Sequence, residues 1–168
     1  LYGRIGYTQM INHNQASFEP QSAIDTTIST VIRVLLGMVL VTPLIVTSEP
    51  LPETFFPFIV GKAIFYRSVI EIAFGLFVIF SLRVPQARPP KSFLLMLLGI
   101  YVVITLLSSL FGVSQTRSLW STYERMQGFV DLAHWLMFVV VATSIFRSWQ
   151  DWRQLLNFNL LISSIMGV

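Results

Sequence analysis

The chain has 168 residues, no cysteine, 54% hydrophobic residues and 11% charged ones, where soluble domains carry roughly 25% charged. So apolar a composition cannot be hidden inside a small water-soluble core, which excludes an ordinary soluble globule and makes a lipid bilayer the expected surroundings. A net charge of +3 is too small for a nucleic-acid footprint, and the absence of cysteine with only two histidines leaves no basis for disulfides, thiolate metal sites or any expected metal or cofactor.

Residues 1–23 read as a polar tail, with His13 solvated and neither a signal peptide nor enough length for a domain. A membrane-crossing helix needs about 20 mostly apolar residues, and the chain offers such stretches in turn. Ile24 to Val46 begins with Asp25, Thr26 and Thr27, carries Arg33, and is interrupted by Gly37 and Pro43. Ala63 to Leu82 is apolar apart from Arg67 and Glu71. Ser92 to Phe111 carries no charge and meets Gly112 at a plausible helix end. Gly128 to Ile145 is apolar apart from Asp131 and His134. Leu155 to Val168 is apolar but only 14 residues long, too short to cross unless the chain continues, so the sequence reads as a fragment. The expected fold is all-α: a polytopic transmembrane helix bundle of four full spans plus the start of a fifth, over residues 24–168.

The connections are polar. Pro85, Pro89 and Pro90 in RVPQARPPK break the helical pattern between the second and third stretches. If the tail, Arg83 to Lys91 and Arg147 to Arg153 face the cytoplasm, that side collects Arg4, Arg83, Arg88, Lys91, Arg147 and Arg153, against Lys62, Arg117 and Arg125 outside. The imbalance favours an inside amino terminus. Trp149 and Trp152 would then mark the inner interface and Trp120 the outer one.

Charges within spans cost roughly 2.5 to 3.5 kcal/mol each on insertion scales, so each asks for a partner. Arg67 and Glu71 lie one helical turn apart, on one face with Gly75, and are read either as a mutually neutralising pair or as a functional site. Arg33 near a helix end can snorkel. In WSTYERMQGFVDLAHW, Ser121 and Glu124 have the spacing of a capping box, so a helix is expected to start at Ser121. On that helix Glu124, Gln127, Asp131 and His134 form a polar stripe. It is read either as the wall of an outward-facing cavity or as an Asp131–His134 pair satisfied within the bundle. Arg125 in the first turn of the same helix, with Arg117, Lys62 and Arg67, forms a candidate site for a phosphate-bearing lipid headgroup; interfacial anchoring is the plainer alternative. There is no glycine-rich phosphate loop, no nucleophile elbow and no zinc-protease motif.

The pieces GKAIFYRSVIEI (Gly61 to Ile72) and LFGVSQTRSLWSTYERMQG (Leu110 to Gly128), within a similarity over residues 30–165, resemble the amino-terminal part of the O-antigen ligase and O-antigen polymerase family of polytopic membrane proteins. That resemblance implies an inverting, metal-independent glycosyltransferase of the bacterial cytoplasmic membrane, active in lipopolysaccharide biosynthesis, that takes a glycan from an undecaprenyl-diphosphate carrier at the outer face. It further implies that the principal catalytic residues lie in a large outer loop beyond Val168, so none is assigned here. Arg125 is the residue expected to meet the donor diphosphate. A non-catalytic accessory subunit packing against other membrane subunits is the alternative, and a transporter lined by Glu124, Asp131 and His134 ranks below both.

Overall fold

The computed structural model describes residues 22–45, 57–122 and 125–167. They form helices α1 (Ala23–Val41), α2 (Pro57–Arg83), α3 (Phe93–Phe111), α4 (Gln115–Trp120), α5 (Phe129–Ile145) and α6 (Trp149–Met166), with short 3-10 turns at Thr42–Leu44 and Pro85–Ala87. Among the described residues, three helices are long and apolar enough to cross a membrane: Ala23–Leu44, Ile59–Arg83 and Phe93–Phe111. Residues 1–21 of the polar tail lie outside the described residues, and its last two, Ser22 and Ala23, are the cap and first residue of α1.

Helix α1 starts on a side-chain cap: the Ser22 hydroxyl accepts from the Asp25 amide at 3.3 Å. It tightens into a 3-10 turn at Pro43, whose ring cannot continue the ladder. Ile32, Leu36 and Val39, spaced one helical turn apart, are its buried stripe. Helix α2 answers with Ile70, Ala73, Phe77 and Phe80, all 3% exposed or less. Val141, Ala142 and Ile145 of α5 close the core against Ile32, Leu36, Phe77 and Phe80. The three helices therefore share one apolar centre, with α5 the element that touches α1, α2, α3 and α4 alike. At 17 residues, α5 rises about 26 Å at 1.5 Å per residue, at the short limit for a crossing helix.

Helix α3 has a different character. Only Val102 and Ser109 are buried, while Leu94, Ile100, Val103, Ile104 and Leu107 all face outward. An uncharged helix with its aliphatic surface turned away from the protein fits contact with a lipid bilayer. Its end at Gly112 agrees with the sequence reading.

Three helix starts differ from expectation, the first being α2, which begins at Pro57, six residues ahead of Ala63. Helix α6 begins at Trp149, six residues before the apolar stretch, because Ser148 and Asp151 form a reciprocal capping box. Asp151, Trp152 and Arg153 thus belong to its first turns and not to a loop. No helix starts at Ser121: that residue terminates α4 with φ 72° and ψ −142°, and the next helix waits until Phe129.

At the end where α1 begins, ionic links tie α1 to the end of α2 and the start of α6. Arg83 reaches Asp25 at 3.1 Å, and Arg33 reaches Asp151 at 2.6 Å while lying 5.6 Å from the Phe146 ring centroid. Arg33 is therefore a cross-helix partner and not a snorkelling side chain. Arg147 donates to the Arg88 carbonyl at 2.8 Å, holding the proline-rich turn to the α5–α6 connection.

Candidate functional site

Arg67 is the organising group at the opposite end. Its residue exposure is 7%, and a buried guanidinium needs acceptors for its fork of donors. One terminal nitrogen donates to the Met126 carbonyl and reaches Asp131 at 3.2 Å, while Nε donates to the Tyr66 hydroxyl at 3.2 Å. The Trp120 ring centroid lies 5.5 Å from the guanidinium carbon. Arg67 thus gathers α2, the end of α4, the 125–128 segment and the first turn of α5.

This arrangement replaces both ion pairs that sequence proximity suggests. Arg67 does not bond to Glu71, nor Asp131 to His134. Instead the two helices exchange partners, with Arg67 on Asp131 and Glu71 on His134 at 3.0 Å. Neighbours on one helix face point outward from their own axis, so facing helices present rungs to each other more directly than consecutive turns do.

The same demand explains why the Ser121 cap does not form. A helical cap contributes about 1 kcal/mol, whereas leaving a buried charged group without acceptors costs about 3–5 kcal/mol. Met126 delivers its carbonyl to Arg67, and Ser121 and Met126 take positive φ of 72° and 52°. Gly128 completes the turn. A Cβ there would lie 2.3 Å from the Leu119 carbonyl oxygen, so only glycine lets the start of α5 pass the end of α4.

Above this turn lies an open cavity of about 520 Å³. Lys62 and Arg125 supply its cations, Gln127, Asp131 and Asn159 its further polar groups, and Val39, Leu40, Ile59, Ala63 and Phe138 its apolar wall. Trp135 contributes a flat surface, stacked on Tyr66 at 5.8 Å and 24°. Asp131 is already matched by Arg67, which leaves Lys62 and Arg125 as the surplus positive charge among the described residues of the lining. A mixed wall of this kind suits an amphiphile with an anionic head.

The expected cation set therefore divides. Lys62 and Arg125 share the cavity; Arg67 lies in the protein beneath it; Arg117 is exposed on α4, outside the lining. Arg125 stands in the segment before α5 and not in a helical first turn. Of the expected stripe, Gln127 and Asp131 line the cavity, but Gln127 precedes the helix, so no single helical face carries the set. His134 is buried against Glu71, and Glu124 lies outside the described residues.

Asn159 and Thr42 are not singled out by the sequence. Pro43 was legible as a break, but its place in the wall depends on α6 packing beside α1. The Ser-x-x-Asp spacing at 22–25 and 148–151 was an available signal for both helix starts. Among the described residues, no group of three His, Asp or Glu is placed to hold a metal. No family model matches the chain, and no curated protein or solved structure matches it either.

Proposed function

We propose that this chain is the amino-terminal membrane region of an O-antigen ligase-like glycosyltransferase, and that its cavity receives the diphosphate head of a lipid-linked glycan donor. The observation that carries the reading is the joint presence of Lys62 and Arg125 in a cavity whose remaining wall is largely apolar. Two cations meet the headgroup charge, while Val39, Leu40 and Phe138 offer a path for the first isoprenoid carbons. In an inverting transfer, the acceptor hydroxyl attacks the anomeric carbon as its bond to the diphosphate breaks. The leaving diphosphate gains negative charge in that step, and fixed cations lower its cost. Activation of the acceptor falls to residues that follow this region in the resembling family. In this reading the cavity opens on the outer face of a bacterial cytoplasmic membrane, the amino terminus lies inside, and α5 and α6 complete the bundle as the fourth span and the start of a fifth.

The test is binding of undecaprenyl diphosphate, undecaprenol and inorganic diphosphate to the chain in lipid nanodiscs, read by quenching of tryptophan fluorescence. Lys62→Gln and Arg125→Gln are each expected to weaken the lipid diphosphate by about 10- to 100-fold, the scale of one charge-assisted contact, with little effect on undecaprenol. Equal binding of the lipid diphosphate by the wild type and both variants removes the proposal and leaves a packing role beside other membrane subunits as the better reading.

A further inference from the structure

The second rung between α2 and α5 carries a proton count. His134 Nδ1 lies 2.7 Å from the Val130 carbonyl oxygen, one turn earlier on α5. A carbonyl oxygen only accepts, so Nδ1 is the protonated nitrogen. Nε2 lies 3.0 Å from Glu71 Oε1. With the imidazole neutral and its proton on Nδ1, Nε2 is an acceptor, and an ionised carboxylate is an acceptor too. Two acceptors do not hold this distance. One more proton sits between them, making either an imidazolium beside a carboxylate or a neutral imidazole beside a carboxylic acid. Both arrangements are net neutral.

We propose that Glu71 and His134 share a single proton across the α2–α5 contact within the helix bundle. The two ends differ in burial: the His134 side chain is 8% exposed and that of Glu71 63%. The carboxylate stands on the outward face of α2 near the helix midpoint, and the imidazole closes the inner end. Charged neighbours are committed elsewhere. Arg67, one turn earlier on α2, bonds to Asp131, Met126 and Tyr66. On α1, Asp25 pairs with Arg83 and Arg33 with Asp151. Helix α3, packed on α5, has no charged residue, and its Tyr101 is exposed; α4 brings only the exposed Arg117. Loss of the shared proton therefore leaves a net negative charge between the helices and removes the α2–α5 hydrogen bond, so proton occupancy and helix contact change together.

The chain has two histidines, so labelling with 15N-histidine in nanodiscs, with His13→Asn to assign the signals, resolves this ring. At neutral pH, Nδ1 is expected to be protonated. The additional proton then shows either as a protonated Nε2 resonance or as a carboxylic-acid infrared band. In Glu71→Gln the side-chain amide can donate to Nε2, so the ring is expected to become the neutral Nδ1–H tautomer and any carboxylic-acid band is lost. Glu71→Asp, which keeps an acid, is expected to retain the additional proton, provided the variant elutes as wild type on gel filtration. A neutral ring protonated on Nε2 alone, without a carboxylic-acid band, overturns the proposal. So do 15N and infrared spectra that are both unchanged in Glu71→Gln.

Discussion

Replacing Arg67 with leucine tests the central link between fold and site. The Arg67 and Asp131 side chains are 8% and 22% exposed, so the substitution strands a carboxylate that water reaches poorly. Breaking a buried pair from one side costs about 3–5 kcal/mol; the lost donor to the Met126 carbonyl adds to this, and leucine's own burial offsets part of it. For a chain of this size, 1 kcal/mol moves the unfolding midpoint by roughly 2–4 °C, so a fall of about 6–20 °C is expected. Trp120 and Trp135 surround the site, and their fluorescence during heating in detergent micelles follows the transition. The decisive comparison is Arg67→Leu with Asp131→Asn in one chain. Removing both charges is expected to recover at least about 2 kcal/mol of the loss, because the stranded carboxylate is gone. A double variant no more stable than Arg67→Leu refutes the ion-pair reasoning, as does a single variant within about 0.5 kcal/mol of wild type, the scatter of ordinary surface substitutions.

Gly128→Ala is expected to destabilise by about 2 kcal/mol or more, since its methyl would meet the Leu119 carbonyl oxygen and carbon; thermal unfolding measures this, and a neutral result refutes the close crossing of α4 and α5. Arg117→Ala is expected to leave binding of undecaprenyl diphosphate within about twofold of wild type, in contrast to Arg125→Gln, because Arg117 lies outside the cavity lining; the same fluorescence titration distinguishes them. Asp151 stands in the capped first turn of α6, ahead of its apolar stretch. Burial pushes the Asp151 carboxyl up, but the Arg33 hydrogen bond and charge, with the Ser148 amide and hydroxyl, outweigh it and hold the carboxyl below its ordinary 3.8. A lowered folded value means the Asp151 contribution is complete above the unfolded value and is lost as pH falls through the folded one. Unfolding midpoints measured from neutral pH down to about 3 should therefore fall less steeply in Asp151→Asn, whose stability at neutral pH starts lower by about 1–2 kcal/mol for the lost cap and charged bond.

Hydrophobic runs and their interruptions are local properties, and they determined the all-helical class, the first three of the expected spans, the break at Pro85 to Pro90 and the end at Gly112. The sequence also placed ionisable groups where each would need a partner. It did not say which partner, because Arg67 and Glu71, or Asp131 and His134, are neighbours along one helix but face another helix in space. Only the packing of α5 against α2 exchanged those pairs. The same packing decided where residues 121–122 and 125–128 lie. Local spacing favoured a cap at Ser121, but the acceptors required by a buried guanidinium are worth more than that cap, and they drew the backbone into a turn that places Arg125 and Gln127 beside Lys62. The cavity is thus a tertiary property: its walls come from α1, α2, α5, α6 and two connections, residues whose separation along the chain gives no sign that they meet.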